Sequence, residues 1–184
     1  MMRDKIEDIK RAIEGEAYLS ALALALTLPD ICSKIEYGEN ARYRYSKWFD
    51  SHVKDRYFNE PLNEFGFPEF NGAACWALRC SILHSGNIDF NSKDDIDIQE
   101  FELCVTKGNP GANAISRGFE DSFLPSGDFR RTKRMRINVN WLCFAIGQAT
   151  LNFYEESENK EAFEDHAVLL KTDLPSSSLY DHRS

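Results

Sequence analysis

One stretch of the chain, residues 71–87, constrains the fold more than any other. It reads Asn-Gly-Ala-Ala-Cys-Trp-Ala-Leu-Arg-Cys-Ser-Ile-Leu-His-Ser-Gly-Asn. Asn71 is a favoured helix N-cap residue, and Gly86 suits the left-handed position just after a helix end. Between them, apolar residues occupy every side of the helix, and a helix that is apolar all round is buried. The sequence therefore predicts a central buried helix at 72–85.

Arg79 introduces a charge into this apolar helix. Because an arginine is almost never fully buried without a partner, Arg79 must reach a counter-charge, a cleft or an interface. His84 follows five residues later. At 100° per residue, the two positions lie roughly 140° apart around a regular α-helix. They do not share one face, although a long arginine side chain could swing toward the imidazole.

The spacing of Arg79 and His84 at the end of a buried helix resembles the R-x4-H signature of the HEPN superfamily (higher eukaryotes and prokaryotes nucleotide-binding domains). The resemblance implies a mainly α fold, a HEPN-like helical bundle, and a metal-independent endoribonuclease whose two motifs meet in a homodimer. It also implies a bacterial toxin–antitoxin or phage-defence role, with an antitoxin or defence-system protein as partner. The family often has Asn, Asp or His after the arginine, whereas this chain has Cys80, which forms weaker hydrogen bonds. The alternative is a catalytically inactive HEPN-like dimeric module that binds RNA or a partner protein.

Arg79 and His84 are the candidate catalytic residues. Histidine exchanges a proton near neutral pH and can act as a general base or acid. A guanidinium can stabilise the negative charge that develops on a phosphate in the transition state. Since RNA supplies its own 2′-hydroxyl nucleophile, this chemistry needs no metal and no other cofactor. The structural alternative is that His84 caps the helix and Arg79 pairs with a buried carboxylate.

A basic segment near residue 130 is the candidate nucleic-acid-binding site. With Asp128 it gives residues 128–136 a net charge of +4, so the rest of the chain, whose total is −8, carries −12. A positive segment on an acidic protein can hold the phosphate backbone of RNA. It can equally bind an acidic segment of a partner, or the protein's own stretch at 155–165. The candidate residues are Arg130, Arg131, Lys133, Arg134 and Arg136.

Periodicity predicts that most of the remaining chain is helical. The predicted helices are residues 3–28 as one long helix, 30–36 with Pro29 in the first turn, 41–57, and 141–156 with Asn140 as N-cap, followed by a short element at 162–170. Alternation of apolar and polar residues predicts strands at 99–107 and 134–140. They would pair as a two-stranded antiparallel β-ribbon, with a loop at 108–128.

The length of 184 residues suits one domain, predicted at 1–170 and followed by a mobile tail at 171–184. The odd number of cysteines, without C-x-x-C spacing or a signal peptide, indicates buried thiols in a reducing cytoplasm. The apolar run at 17–28 is too short to span a bilayer, so no membrane association is expected. His52, His166 and His182 have no ligand-like neighbours at metal spacing, and no metal site is predicted.

Overall fold

The computed structural model describes residues 2–38, 41–58, 69–85, 100–106, 115–123, 127 and 129–164. These residues form a mainly helical fold with one small sheet, which confirms the predicted class. The helices are α1 (Met2–Glu14), α2 (Tyr18–Ala25), α3 (Leu28–Tyr37), α4 (Ala41–Phe49), α5 (Asp55–Tyr57), α6 (Gly72–Cys80), α7 (Val139–Glu156) and α8 (Glu161–Glu164). Two π-helical segments continue α-helices: π1 (Asp50–Lys54) joins α4 to α5, and π2 (Ser81–Ser85) follows α6.

The prediction of one long helix at 3–28 was wrong, because the chain turns between α1 and α2. Glu16 adopts a positive φ of 59°. The backbone N–H of Ala17 donates to the carbonyl of Ala12, and that of Glu16 donates to Ile13. This is the hydrogen-bond pattern of a Schellman C-cap. Glycine usually occupies its left-handed position, so a glutamate there leaves little signal in the sequence.

The helix caps agree with the sequence at α6 and differ at α7. The side chain of Asn71 accepts a hydrogen bond of 3.0 Å from the backbone of Ala74, as predicted. At α7 the N-cap is Asn138, which accepts from Trp141 at 3.2 Å, and the prediction of Asn140 was wrong. Two asparagines two residues apart offer the same capping chemistry, and the end of the preceding strand decides between them.

The sheet has three strands in the order β1-β3-β2, where β1 is Glu100–Cys104, β2 is Ile115–Phe123 and β3 is Phe129–Asn138. The two predicted strands do pair, but β1 and β3 run parallel, so the predicted antiparallel two-stranded ribbon was wrong. The antiparallel partner of β3 is β2, within the segment predicted as a loop. The alternation in the sequence of β2, Ile-Ser-Arg-Gly-Phe-Glu-Asp-Ser-Phe, is interrupted, because Arg117 and Asp121 stand between its three apolar residues. Its pairing comes from the hairpin with β3.

The core lies between the helices and one face of the sheet. Its largest fully buried side chains include Trp48, Tyr45, Phe49, Phe70 and Leu78. α6 approaches α4 so closely that a Cβ on Gly72 would lie 2.1 Å from the carbonyl oxygen of Ser46. The close approach buries Ala74, Cys75, Ala77 and Leu78, so α6 is the central helix that the sequence predicts.

The helical stretch Tyr18–Tyr37 extends beyond the apolar run at 17–28. By length and composition alone it is long and apolar enough to cross a membrane, with a mean hydropathy of 1.3. Leu22, Leu26 and Leu28 in this stretch are fully buried in the core. A buried core helix of a soluble protein has the same composition. Gly86, most of the predicted element at 162–170, and the predicted tail at 171–184 lie outside the described residues.

Candidate active site

Arg79 lies in the last turn of α6, and its side chain turns toward the first turn of α3. Its Nη2 atom is 3.5 Å from Oδ2 of Asp30. Only 14% of the Arg79 side chain is exposed, against 32% for Asp30. Arg79 therefore pairs with a carboxylate, but this carboxylate is part-exposed, whereas the structural alternative predicts a buried one.

Asp30 also binds a second arginine. Nη2 of Arg44, on α4, donates to Oδ1 of Asp30 at 2.9 Å, and Nη1 of Arg44 donates to the carbonyl of Gly38 at 3.2 Å. The Arg44 side chain is 12% exposed. We call Asp30, Arg44 and Arg79 the arginine cluster. Two guanidinium groups share one carboxylate, so the cluster carries one excess positive charge.

The orientation of Arg79 is supported by aromatic packing. The Arg79 guanidinium carbon lies 4.9 Å from the centre of the Trp76 ring, a distance typical of a cation–π contact. Trp76 packs edge-on against Tyr45 at 5.1 Å between ring centres. The Nε atoms of Arg44 and Arg79 are buried and have no hydrogen-bond partner among the described residues. Within the described part of the chain, the cluster thus holds donor groups that have no acceptor.

The neighbouring Tyr45 and Cys75 do not supply a nucleophile at neutral pH. The Tyr45 hydroxyl donates to the carbonyl of Leu26 at 3.2 Å and lies 3.4 Å from the sulfur of Cys75. Burial raises the pKa of Tyr45 well above its ordinary value. Burial also raises the pKa of Cys75 to about 12, although the Arg79 charge opposes the shift. Both groups stay protonated, so they act as packing groups under the arginine cluster.

His84 lies in π2, directly after α6, while its side chain lies outside the described part of the structure. In a π-helix the backbone bonds join residues five apart, whereas an α-helix joins residues four apart. In a π-helix, two residues five apart are therefore separated around the axis by less than the 140° of a regular α-helix. π2 shortens the angular distance between the backbone positions of Arg79 and His84. Such π segments are frequent at functional sites.

The other polar residues of this helix end have structural roles where they are described. The Ser81 hydroxyl donates to the carbonyl of Ala77 at 3.0 Å, a bond within the helix. Cys80 is half-buried, and Asn87 lies outside the described residues. Among the described residues, no group of three or more His, Cys, Asp or Glu side chains could hold a metal ion.

The predicted basic segment forms β3, and acidic residues lie beside part of it. Glu102 on β1 accepts two hydrogen bonds from Arg136, at 2.9 and 3.0 Å, and lies 3.7 Å from Arg134. Glu102 is therefore one intramolecular partner that these two arginines share. Among the contacts of the described residues, none joins either arginine to the 155–165 stretch that was one alternative. The side chains of Arg130, Arg131 and Lys133 lie outside the described part of the structure.

Backbone register places further acidic residues opposite some, not all, basic residues of β3. Arg131 pairs with Asp121 in the antiparallel ladder, and Arg134 pairs with Glu100 in the parallel one. Five basic residues of β3 face two acidic residues of β1, and two acidic and one basic residue of β2. The three strands together therefore carry a net charge of +2, which is less positive than the basic segment alone.

Sequence reasoning missed Asp30 and Arg44. Asp30 follows Pro29 in the first turn of α3, where an acidic residue is ordinary helix chemistry. Arg44 stands among tyrosines in a segment where basic residues are numerous. No local pattern joins either residue to Arg79. The histidine at position 52, predicted to be ordinary, lies 3.0 Å from Glu36 and stacks on Trp48.

The chain was compared with known protein families, curated proteins and solved structures. No protein-family model matches the chain, and the comparisons with curated proteins and with solved structures found no match either.

Proposed function

We propose that this protein is a metal-independent endoribonuclease of HEPN type, with Arg79 and His84 as its catalytic residues. The observation that supports this is the position of Arg79. A mostly buried arginine is oriented by Asp30 and Trp76 at a helix end, and the helix continues as a π turn that carries His84. The proposal includes a homodimer that acts in the cytoplasm, in a toxin–antitoxin or phage-defence role.

The chemistry follows from these two side chains. His84 accepts the proton of the ribose 2′-hydroxyl, whose oxygen then attacks the adjacent phosphorus. The bond from phosphorus to the 5′-oxygen breaks, and this leaving oxygen takes a proton from water. The hydroxide that remains takes the proton from His84, which restores the neutral imidazole. Arg79 donates to the phosphate oxygens as negative charge accumulates on them, and a planar guanidinium can bind two oxygens at once. The products are a 2′,3′-cyclic phosphate and a 5′-hydroxyl.

Cleavage of RNA by the purified protein, with and without EDTA, tests the proposal. Single-stranded and structured RNA are incubated with the wild-type protein and with Arg79→Ala and His84→Ala. Each substitution is expected to lower the rate by about 10²–10⁴, the usual effect of losing an acid–base or charge-stabilising group. EDTA should have no effect. His52→Ala is the matched control, because His52 also lies in a π segment and is paired with Glu36.

Cleavage that disappears with EDTA, or that persists in His84→Ala, would contradict this mechanism. Toxicity of the wild-type protein in a bacterial host, absent for the Arg79→Ala, His84→Ala double variant, is the corresponding observation in cells.

A second candidate is a catalytically inactive dimeric module that binds RNA or a partner protein. Two observations favour it: Asp30 already balances charge on Arg79, and Cys80 stands where the resembled family often has a stronger hydrogen-bonding residue. This candidate predicts a stable dimer that binds its partner and leaves RNA intact. The absence of cleavage under all conditions, with binding retained, would select it over the enzyme.

A further inference from the structure

The arginine cluster has the composition of an anion-binding site. The position of the anion is occupied by a carboxylate of the protein itself, that of Asp30. Arg44 and Arg79 come from different helices, α4 and α6, and converge on Asp30. Asp30 also lies in the first turn of the ten-residue helix α3, where the helix dipole favours negative charge. Three sources of positive potential therefore surround one carboxylate.

The two ion pairs are unequal. The contact of Arg44 with Asp30, at 2.9 Å, has the length of a charge-assisted hydrogen bond. The contact of Arg79 with Asp30, at 3.5 Å, is longer than such a bond. Arg44 therefore holds the carboxylate, and Arg79 is the more weakly bound partner. The Nε atoms of both arginines have no acceptor among the residues that the structure describes, so Asp30 does not satisfy every donor of the two guanidinium groups.

We propose that Arg44 and Arg79 form one phosphate-binding site, which Asp30 occupies when no phosphate is bound. A phosphate offers more acceptor oxygens than a carboxylate and can accept bidentate hydrogen bonds from each guanidinium. Asp30 is the most exposed member of the cluster, so its side chain can leave toward solvent as a phosphate enters. Asp30 then competes with the ligand, and Arg44 is a second phosphate-binding residue beside Arg79.

The identification of this phosphate as a phosphodiester of RNA rests on the proposed function. The site itself does not require cleavage. A competing internal carboxylate lowers the apparent affinity by the fraction of protein in which the site is open. Neutralising Asp30 should therefore tighten phosphate binding, whereas loss of an ordinary structural ion pair would leave it unchanged.

Inorganic phosphate is the probe for the site. Its apparent Kd is measured from the increase in the thermal unfolding midpoint at constant ionic strength, for wild-type, Asp30→Asn and Arg44→Gln. We expect Asp30→Asn to bind about tenfold more tightly. Arg44→Gln should bind about tenfold more weakly, the effect of one lost charge-assisted hydrogen bond. Glu155→Gln is the matched control, since it removes an exposed carboxylate paired with Arg3 and should behave as wild-type.

The proposal would be overturned if folded Asp30→Asn bound phosphate no more tightly than the wild-type protein. It would also be overturned if Glu155→Gln tightened phosphate binding as much as Asp30→Asn does. If Asp30→Asn does not fold, Arg44→Lys decides. This variant keeps the charge and can still pair with Asp30, but it cannot bind two oxygens in a fork. Phosphate binding is expected to weaken in it, and unchanged binding would refute the site.

A single-stranded RNA with 2′-O-methyl groups separates this inference from the proposed function, because it cannot supply the 2′-hydroxyl nucleophile. We expect it to displace inorganic phosphate from the wild-type protein, and to bind Arg44→Gln more weakly than Glu155→Gln. Displacement without any cleavage of ordinary RNA would support the site while contradicting the enzyme. Cleavage of ordinary RNA without displacement of phosphate would overturn the site alone.

Discussion

Nη2 of Arg79 lies 3.5 Å from Oδ2 of Asp30, and this ion pair joins the end of α6 to the first turn of α3. Asp30 keeps a second, shorter contact with Arg44 at 2.9 Å. A carboxylate that loses Arg79 would therefore still have a partner. A substitution of Arg79 can therefore test its contribution to activity without leaving Asp30 unpaired.

Replacing Arg79 with lysine should remove RNA cleavage and keep the fold. A lysine ammonium can still pair with Asp30, but it is a point charge that cannot bind two phosphate oxygens in a planar fork. We expect the cleavage rate to fall about 10²-fold or more, while the free energy of unfolding changes by about 1 kcal/mol or less. Single-turnover cleavage and urea unfolding measure the two effects. Arg79→Lys with wild-type cleavage would argue against phosphate recognition by the guanidinium.

Leu83→Glu should dissociate the proposed homodimer. Leu83 lies in π2, one residue before His84, and is 36% exposed. A dimer that joins the two R-x4-H motifs would bury this leucine, so a charge there is costly. Sedimentation should change from dimer to monomer at micromolar concentration. Leu19→Glu, at a leucine 65% exposed on α2, is the control and should remain a dimer. A monomeric wild-type protein would contradict the dimer itself.

Neutralising β3 should weaken RNA binding in a way that depends on salt. Changing Arg131, Lys133 and Arg134 together to Gln is expected to lower RNA affinity for all sequences. The slope of log affinity against log salt should flatten by about one unit per lost phosphate contact. Titrations of RNA at several salt concentrations give this slope.

The matched control for β3 is a triple change to Gln at Arg3, Lys10 and Arg11. These residues carry the same charge and pair with acidic groups of α1 and α7. The control variant should alter RNA binding less than the triple substitution in β3 does. Unchanged affinity after the β3 substitution would assign the basic strand to another partner, or to the intramolecular pairs with Glu102.

Gly72→Ala should destabilise the fold because α6 and α4 are in backbone contact there. A Cβ at this position would lie 2.1 Å from the carbonyl oxygen of Ser46, so one helix must move. The expected cost is about 1–3 kcal/mol in the free energy of unfolding. At Gly147 in α7, by contrast, the nearest atom to an added Cβ is Cγ2 of Ile6 at 3.8 Å. Gly147→Ala should therefore be neutral or stabilising by up to about 1 kcal/mol. An equal loss of stability in both variants would show that the contact with Ser46 does not cause the effect at Gly72.

Asp50→Asn should remove a pH-dependent loss of stability. Burial raises the pKa of Asp50 above 3.8, although the hydrogen bond from the backbone N–H of Gly72 opposes the shift. The folded protein thus holds this proton more tightly than the unfolded chain. Stability falls as pH rises from about 4 through the raised pKa.

An asparagine at position 50 can still accept the bond from Gly72, which is 2.7 Å long in the wild-type protein. Relative to wild-type, Asp50→Asn should therefore gain stability between pH 3 and pH 7, as measured by urea unfolding at each pH. A constant difference across this range would show that Asp50 titrates alike in both states.

Local chemistry in the sequence determined much of the helical architecture. Asn71 caps α6 as predicted, Pro29 lies in the first turn of α3, and the apolar residues of α6 are mostly buried. A cap or a break depends on atoms a few residues apart, so its signal survives in the sequence. The same locality explains the error at Glu16, where a residue that rarely adopts a positive φ ends α1.

Only the tertiary structure decided which charges meet and which strands pair. The sequence required that Arg79 have a partner, but Asp30 lies forty-nine residues earlier. It is that partner because α4 packs against both α3 and α6, which brings Asp30 near Arg79. Likewise, β3 lies between β1 and β2, parallel to β1 and antiparallel to β2. Ion pairs and strand neighbours depend on the packing of distant segments, and no periodicity within a single segment records that packing.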